Sequence, residues 1–499
     1  MRPCRRGLFR AVPQGAALFL PPSQNMMTKN RFFSLNEARR FLALGLPVLV
    51  TQIAQMGMNF VDTAMTGQAS TADMAAVAVS GSIWVPVSLL GMGCLLSLPA
   101  MMAHLVGGGE QQRTPHLLRQ GLWLSSLLSL VLMGVFAFLS LHLELFGLDA
   151  ELAPLAAGYL RAMLFGLPGM MLFVNVRGFL EGYARTRPAM LVGLLGLALN
   201  VPCNYVLIYG KLGLPQLGAV GCGVATALCY WFMGLTLALY ARREARCRKL
   251  GPLFLPLLLP RTAGEGVEAR RVDWPLVWRI FRIGLPGALA ACFEASLFAV
   301  TALLLAPLGK VVVAGHQIAM NFSSIVYMLP LSLNITVAIR VGQNLGAGRL
   351  ERARLSARTA LCLGLGLALL TMTTTLCLRP QIAQIYNSDP AVLGLAVGLL
   401  VFAAVNQIPE SLQTVSIGVL RAYNDTRYIL GVCLFSYWIV GLGTGWTLAR
   451  TDWLVPAMGA TGFWIGYGLA LWVSFSLYRL RMGRLHRLDA EAVRQRIRR

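Results

Sequence analysis

Charge is scarce in this sequence, and acidic charge is the scarcer kind. Asp, Glu, Lys and Arg make up 13% of the 499 residues, against about 25% in ordinary soluble domains. Lysine occurs only as Lys29, Lys211, Lys249 and Lys310, followed by Asn, Leu, Leu and Val. A phosphate-binding loop needs Lys followed by Ser or Thr, so the chain carries no ATP-hydrolysing motor and implies no ATPase subunit. The eight aspartates never fall within ten residues of one another, and the five histidines form no HExxH. Paired aspartates for magnesium, as in intramembrane transferases, are therefore missing, and an enzyme is disfavoured. Ten cysteines include no CxxC pair. Most lie in apolar runs, where a thiol is a small hydrophobe, so neither a disulfide framework nor a zinc site is indicated.

Long apolar runs are what the sequence has in quantity. Hydrophobic residues reach 57%, and about twelve runs are long enough to cross a bilayer. They fall near 41–66, 75–103, 120–141, 153–176, 189–210, 218–240, 283–307, 312–336, 359–378, 391–416, 428–448 and 455–478. The expected fold is an all-α integral membrane protein of 12 transmembrane helices.

The net charge of +23 would suit nucleic acid, but its distribution points elsewhere. Assigned to flanks, 38 of the 43 Lys and Arg fall on the side of the N-terminus, four fall on the other side, and Arg161 lies inside a span. The positive-inside rule then puts both termini in the cytoplasm. Basicity is a signature of topology, and no nucleic-acid partner follows. The basic start "MRPCRRGLFR", followed by an apolar patch broken by Pro and Gln, makes a poor secretory signal. Residues 1–37 read as a disordered cytoplasmic tail.

The chain repeats itself. Gly45-Leu46-Pro47 recurs as Gly284-Leu285-Pro286, and Gly107 and Gly109 recur as Gly346 and Gly348, both at an offset of 239. "GFLEGYARTR" (178–187) matches "GVLRAYNDTR" (418–427) at 240. The reading is an N-lobe at 38–240, a basic linker at 241–277, a C-lobe at 278–480 and a basic tail at 481–499. Six helices per lobe is an even number. Both lobes therefore enter from one side, related by an axis along the membrane normal with a cavity between them.

A carboxylate costs roughly 2.5–3.5 kcal/mol at the centre of a span, so each is a functional candidate. Glu294 lies 12 residues beyond Arg282 on the seventh run, and Glu410 lies 11 residues before Arg421 on the tenth. Both then sit about 16–18 Å from the cytoplasmic end. Asn406, Glu410, Gln413 and Thr414 form one helical stripe, Gly287, Ala291, Glu294, Phe298 and Thr301 another, and Gln317 and Asn321 follow on the eighth run. In the first half, Gln52, Gln55, Asn59 and Asp62 read as a stripe, joined by Asn200 and Asn204. The acids ignore the repeat, since Glu294, Glu410 and Asp62 correspond to Gln55, Met170 and Thr301. Each is a specialisation of its own half. Without a nucleotide motor in the chain, the energy comes from an ion gradient or from a separate subunit. A desolvated carboxylate can exchange a proton, a sodium ion or a cationic substrate at one place. Twenty-one methionines and aromatics such as Phe293, Phe298, Tyr327 and Trp438 suit an adaptable apolar cavity for organic cations.

The stretches "MNFVDTAMTG", "CFEASLF" and "AGHQIAMNFSSIVYMLPLS" resemble the multidrug and toxic compound extrusion (MATE) family, NorM-like branch, over roughly 38–480. That resemblance implies two six-helix lobes and an antiporter exporting cationic drugs or dyes in exchange for Na+ or H+, with no other cofactor. It makes Asp62 the N-lobe acid, with Asn200, Asn204 and Thr226 around it, and Glu294 the C-lobe acid. Glu410 stands where sodium-coupled members usually have Asp, and Asn406 where they usually have Tyr, which leaves the coupling ion open. Glu294 and Glu410 would hold Na+ if sodium is used. The working unit is expected to be a monomer in a bacterial inner membrane. A lipid-linked oligosaccharide flippase of the same superfamily is the alternative, but it would want a basic chamber, and Arg161 is the lone cation well inside a span. Snorkelling, or pairing with one of the acids, would equally account for Arg161.

Overall fold

The computed structural model describes residues 33–143, 152–247, 272–453 and 456–498. Among these there are no strands and twelve helical spans long and apolar enough to cross a membrane: α1 (Leu35–Ala69), α2 (Thr71–Gly107), α3 (Gln111–Leu141), α4 (Leu152–Gly182), α5 (Arg187–Tyr209), α6 (Gly218–Ala245), α7 (Trp274–Leu308), α8 (Lys310–Gly346), α9 (Leu350–Tyr386), α10 (Pro390–Ala422), α11 (Thr426–Arg450) and α12 (Ala460–His486). Every run read from the sequence corresponds to one of them. Residues 1–32 and 248–271, which hold most of the expected tail and linker, lie outside the described residues.

Local chemistry starts these helices. Ser34 Oγ accepts from the Glu37 amide at 3.4 Å, Asp273 from Leu276 at 3.1 Å and Asp389 from Ala391 at 2.9 Å, each satisfying an orphan donor of a first turn. Two spans are less regular than their hydropathy implies. α2 breaks at Leu96–Ser97 and resumes as Leu98–Gly107. α11 contains a π-helical stretch, Leu434–Gly441. At the C-terminus, where the sequence reads as a tail from 481, α12 runs on to His486 and a short helix α13 (Ala490–Arg498) follows. Arg496 of α13 pairs with Asp425 at 2.7 Å.

α4 packs mainly on α6, and α10 on α8, α9 and α12, so these two helices are the axial members of their groups. Between the groups, α1 meets α8 and α2 meets α7. These contacts gather at the face that carries the Arg-rich turns, here called the basic face. Arg340 on α8 donates to Glu37 on α1 at 2.9 and 3.2 Å, and Ser97 donates to the Ile280 carbonyl at 3.3 Å. His104 Nε2 lies 2.7 Å from the Ala422 carbonyl, which can only accept, so that nitrogen carries the proton. Gln343 donates to the Gly182 carbonyl at 3.0 Å.

The last two bonds are one interaction made twice. Gln343 is His104 displaced by 239 residues, and Ala422 is Gly182 displaced by 240. In each lobe the end of the second helix reaches across to the last carbonyls of the other lobe's fourth helix. The glycines of the repeat allow this approach. A Cβ on Gly107 would lie 2.0 Å from the Gln343 carbonyl oxygen, and one on Gly346 would lie 2.1 Å from that of His104. Neither contact is tolerable, so the backbones touch only because both positions lack a side chain.

Candidate ion and substrate site

In the C-lobe, the two glutamates end on a pair of phenols. Tyr437 donates to Glu294 Oε1 at 3.0 Å, and Tyr467 of α12 donates to Glu410 Oε1 at 3.1 Å. The two phenol rings are stacked, with centroids 6.2 Å apart and an interplanar angle of 18°. The carboxylates from α7 and α10 are therefore linked across one aromatic bridge. Tyr437 is held in turn by Gln413, which donates to its oxygen at 2.8 Å, and Ser474 donates to Gln413 at 3.5 Å. Tyr437 lies in the π-helical stretch of α11, whose wider turn rotates side chains away from their α-helical directions. Its neighbour Trp438 donates to the Phe293 carbonyl at 3.2 Å. Arg421 and Tyr327 lie within electrostatic reach of the pair.

This polar layer divides the C-lobe core. One apolar cluster holds Leu333, Val337, Val415 and Tyr478, and a second holds Leu305, Ile318, Leu399 and Trp464. The N-lobe packs as a single cluster. Its acid is treated differently. Asp62 is buried and accepts from Asn200 at 3.0 Å, Asn204 at 2.6 Å and Thr226 at 2.8 Å. Three neutral donors surround it, and no ion pair described here includes it.

The structure separates residues that the sequence groups. Asp62 belongs with Thr51, Ala54 and Met58 on the buried face of α1, and Asn59 is exposed on another face. Gln52 is part-buried and accepts from Arg177 at 3.3 Å, and Gln55 is part-buried as well. The ten residues from Gln52 to Asp62 turn the helix well off any straight stripe, which undoes that grouping. Asn406 is also reassigned. It is buried and donates to the Trp464 carbonyl at 3.1 Å, which joins α10 to α12. Gln317 and Asn321 are exposed on α8. Arg161 is exposed on α4, and none of the described ion pairs contains it.

Tyr437 and Tyr467, which cap the carboxylates, escape a sequence reading because a tyrosine in an apolar run looks like packing. The buried pair of Arg177 and Glu181, 2.6 Å apart, escapes because both residues sit at a helix end and look like loop charge.

Comparison with known proteins agrees with this architecture. The MatE family model matches residues 47–206 and 286–447, once in each half of the chain. Multidrug resistance protein MdtK of Edwardsiella ictaluri is 45% identical over 461 residues, covering 92% of this chain and 98% of that one. A eukaryotic MATE transporter, AtDTX14, superposes with a TM-score of 0.80 at 19% identity, covering 93% of this chain and 99% of that structure. A Vibrio cholerae MATE transporter, VcmN, superposes with a TM-score of 0.76 at 17% identity, covering 90% and 97%. With both of its halves matched by the family model and nearly its whole length aligned to a close relative, the chain belongs to the MatE family.

Proposed function

We propose that this protein is a secondary multidrug antiporter that exports organic cations in exchange for Na+ or H+, with Glu294 and Glu410 as the coupling pair and Asp62 as a second cation or proton site. The observation that carries the reading is the shared phenol bridge between the two carboxylates. Two acids whose hydrogen-bond partners among the described residues are neutral hydroxyls have no resident cation paired with them, and suit the uptake of a mobile proton or cation. Their differing donors, three for Asp62 and a single phenol each for the glutamates, make Asp62 the more firmly held of the two exchange sites. In membranes the fold is a bacterial inner-membrane protein with its basic face in the cytoplasm. The lobes meet at that face, so this conformation is closed to the cytoplasm and faces outward. One chain holds both lobes and both acidic sites, and so works as a monomer. Rocking one lobe against the other would break the bonds of the basic face, open the cavity to the cytoplasm and close its outer side.

The test is ethidium movement in everted vesicles under imposed sodium or proton gradients. Wild-type protein should move dye in response to one gradient at least, and Glu294→Gln should insert and fold but lose the response. Dye movement that ignores both gradients overturns antiport. Transport of a lipid-linked sugar alone would put a flippase in its place.

A further inference from the structure

Next to the carboxylate pair, on the side away from the basic face, the C-lobe has a narrow, partly open recess whose free space, about 20 Å³, is little more than a water molecule needs. Its walls are Phe298, His316, Met320, Phe463, Trp464 and Tyr467. The rings are arranged edge to face. Phe298 meets Tyr467 at 5.1 Å and 66°, and Trp464 meets Tyr467 at 6.5 Å and 88°. Trp464 Nε1 donates to His316 Nδ1 at 3.3 Å, and a ring that accepts at Nδ1 is the neutral imidazole. The recess is thus lined mainly by aromatic rings and carries no charged wall, beside two carboxylates.

Tyr467 belongs to both places at once. Its ring is a wall of the recess, and its hydroxyl is the direct partner of Glu410. We propose that this recess binds the flat aromatic part of a planar organic cation, and that Tyr467 is the mechanical link between that ligand and the coupling ion. An incoming ring system stacks against Phe298 and Tyr467, with its positive charge drawn towards Glu410. Seating it in so narrow a recess turns the Tyr467 ring, which takes the hydroxyl off Glu410. An ion on Glu410 favours the opposite arrangement, so drug and ion exclude each other through one side chain. The groups that face Glu410 are Tyr467 on α12, Glu294 on α7 and Tyr327 on α8, while Tyr437 on α11 and Arg421 on α10 act on Glu294. The proposal rests on the antiport reading given above.

Binding of rhodamine 6G to the purified protein, followed by fluorescence polarisation, tests both levels separately. In the wild type, Kd should rise by about fivefold or more on adding sodium or on lowering the pH, the lower end of typical coupling between linked sites. The readout for Tyr467→Phe, which keeps the ring and loses the hydroxyl, is the ratio of Kd with and without the ion. That ratio should fall below about twofold. Phe298→Ala should weaken binding by about tenfold in ion-free buffer. A Tyr467→Phe protein with the wild-type ratio overturns the linkage, and an unchanged Kd in Phe298→Ala overturns the recess as the site. Wild-type binding that ignores both ions defeats the antiport reading itself, which the two variants alone would not do.

Discussion

Asp62 shows what a single buried acid asks of its surroundings. Both of its oxygens are used by donors from α5 and α6. Replacing it by Asn turns one acceptor into a donor that faces another donor, and leaving buried polar groups unpaired costs about 1–3 kcal/mol. Asp62→Asn should therefore lower the thermal midpoint in detergent as well as reduce transport. A variant with unchanged melting would mean that the three donors do not depend on the carboxylate. The candidate acids were legible in the sequence because a lone carboxylate stands out in a stretch of 27 residues with no other charge, as Glu294 does between Arg282 and Lys310. Their partners were not. Nothing in a run such as "FSYW" distinguishes a tyrosine that caps a carboxylate from one that packs.

At the level of the helix, two departures from regular geometry place the site. The π-helical stretch brings Tyr437 onto Glu294, and the repeated glycines bring α2 and α8 into backbone contact. The second can be tested directly. Gly346→Ala sets a methyl group against the His104 carbonyl, and overpacking of this kind costs about 1–3 kcal/mol. The basic face should then part more often. In a chain keeping Cys94 as its one cysteine, a buried position beside Gly284, maleimide labelling should speed up by about tenfold. Unchanged labelling would show that the lobes part without separating these helices. Gly346 was visible in the sequence as one half of a repeat. What the repeat was for was not, because the surface it fits belongs to the other lobe.

On the scale of the whole molecule, the duplication conserves contacts more faithfully than residues. Arg185 pairs with Glu244 at the end of α6, at 3.1 Å. Its counterpart Asp425 pairs with Arg481 near the end of α12, at 2.7 Å. The bond is kept and its polarity is reversed. Exchanging the first pair, as Arg185→Asp with Glu244→Arg, should therefore restore the stability that either single change removes, each by about 1 kcal/mol. Thermal midpoints of the four proteins measure this, and a double variant no better than the worse single one would show that the pair's orientation matters. The same freedom accounts for His104 and Gln343, different residues that make equivalent bonds to opposite lobes.

Composition, hydropathy and the placing of arginine determined by themselves that this is a membrane protein of twelve helices in two related halves, because a bilayer imposes length and polarity on every span independently of its neighbours. The same local reasoning picked out Asp62, Glu294 and Glu410. Which groups answer those acids was decided only in three dimensions. Tyr467 and Glu410 are separated by 57 residues and Tyr437 and Glu294 by 143, so their hydrogen bonds exist only once the helices are packed. The closed basic face is likewise a property of two surfaces meeting, and neither surface records the other in its own sequence.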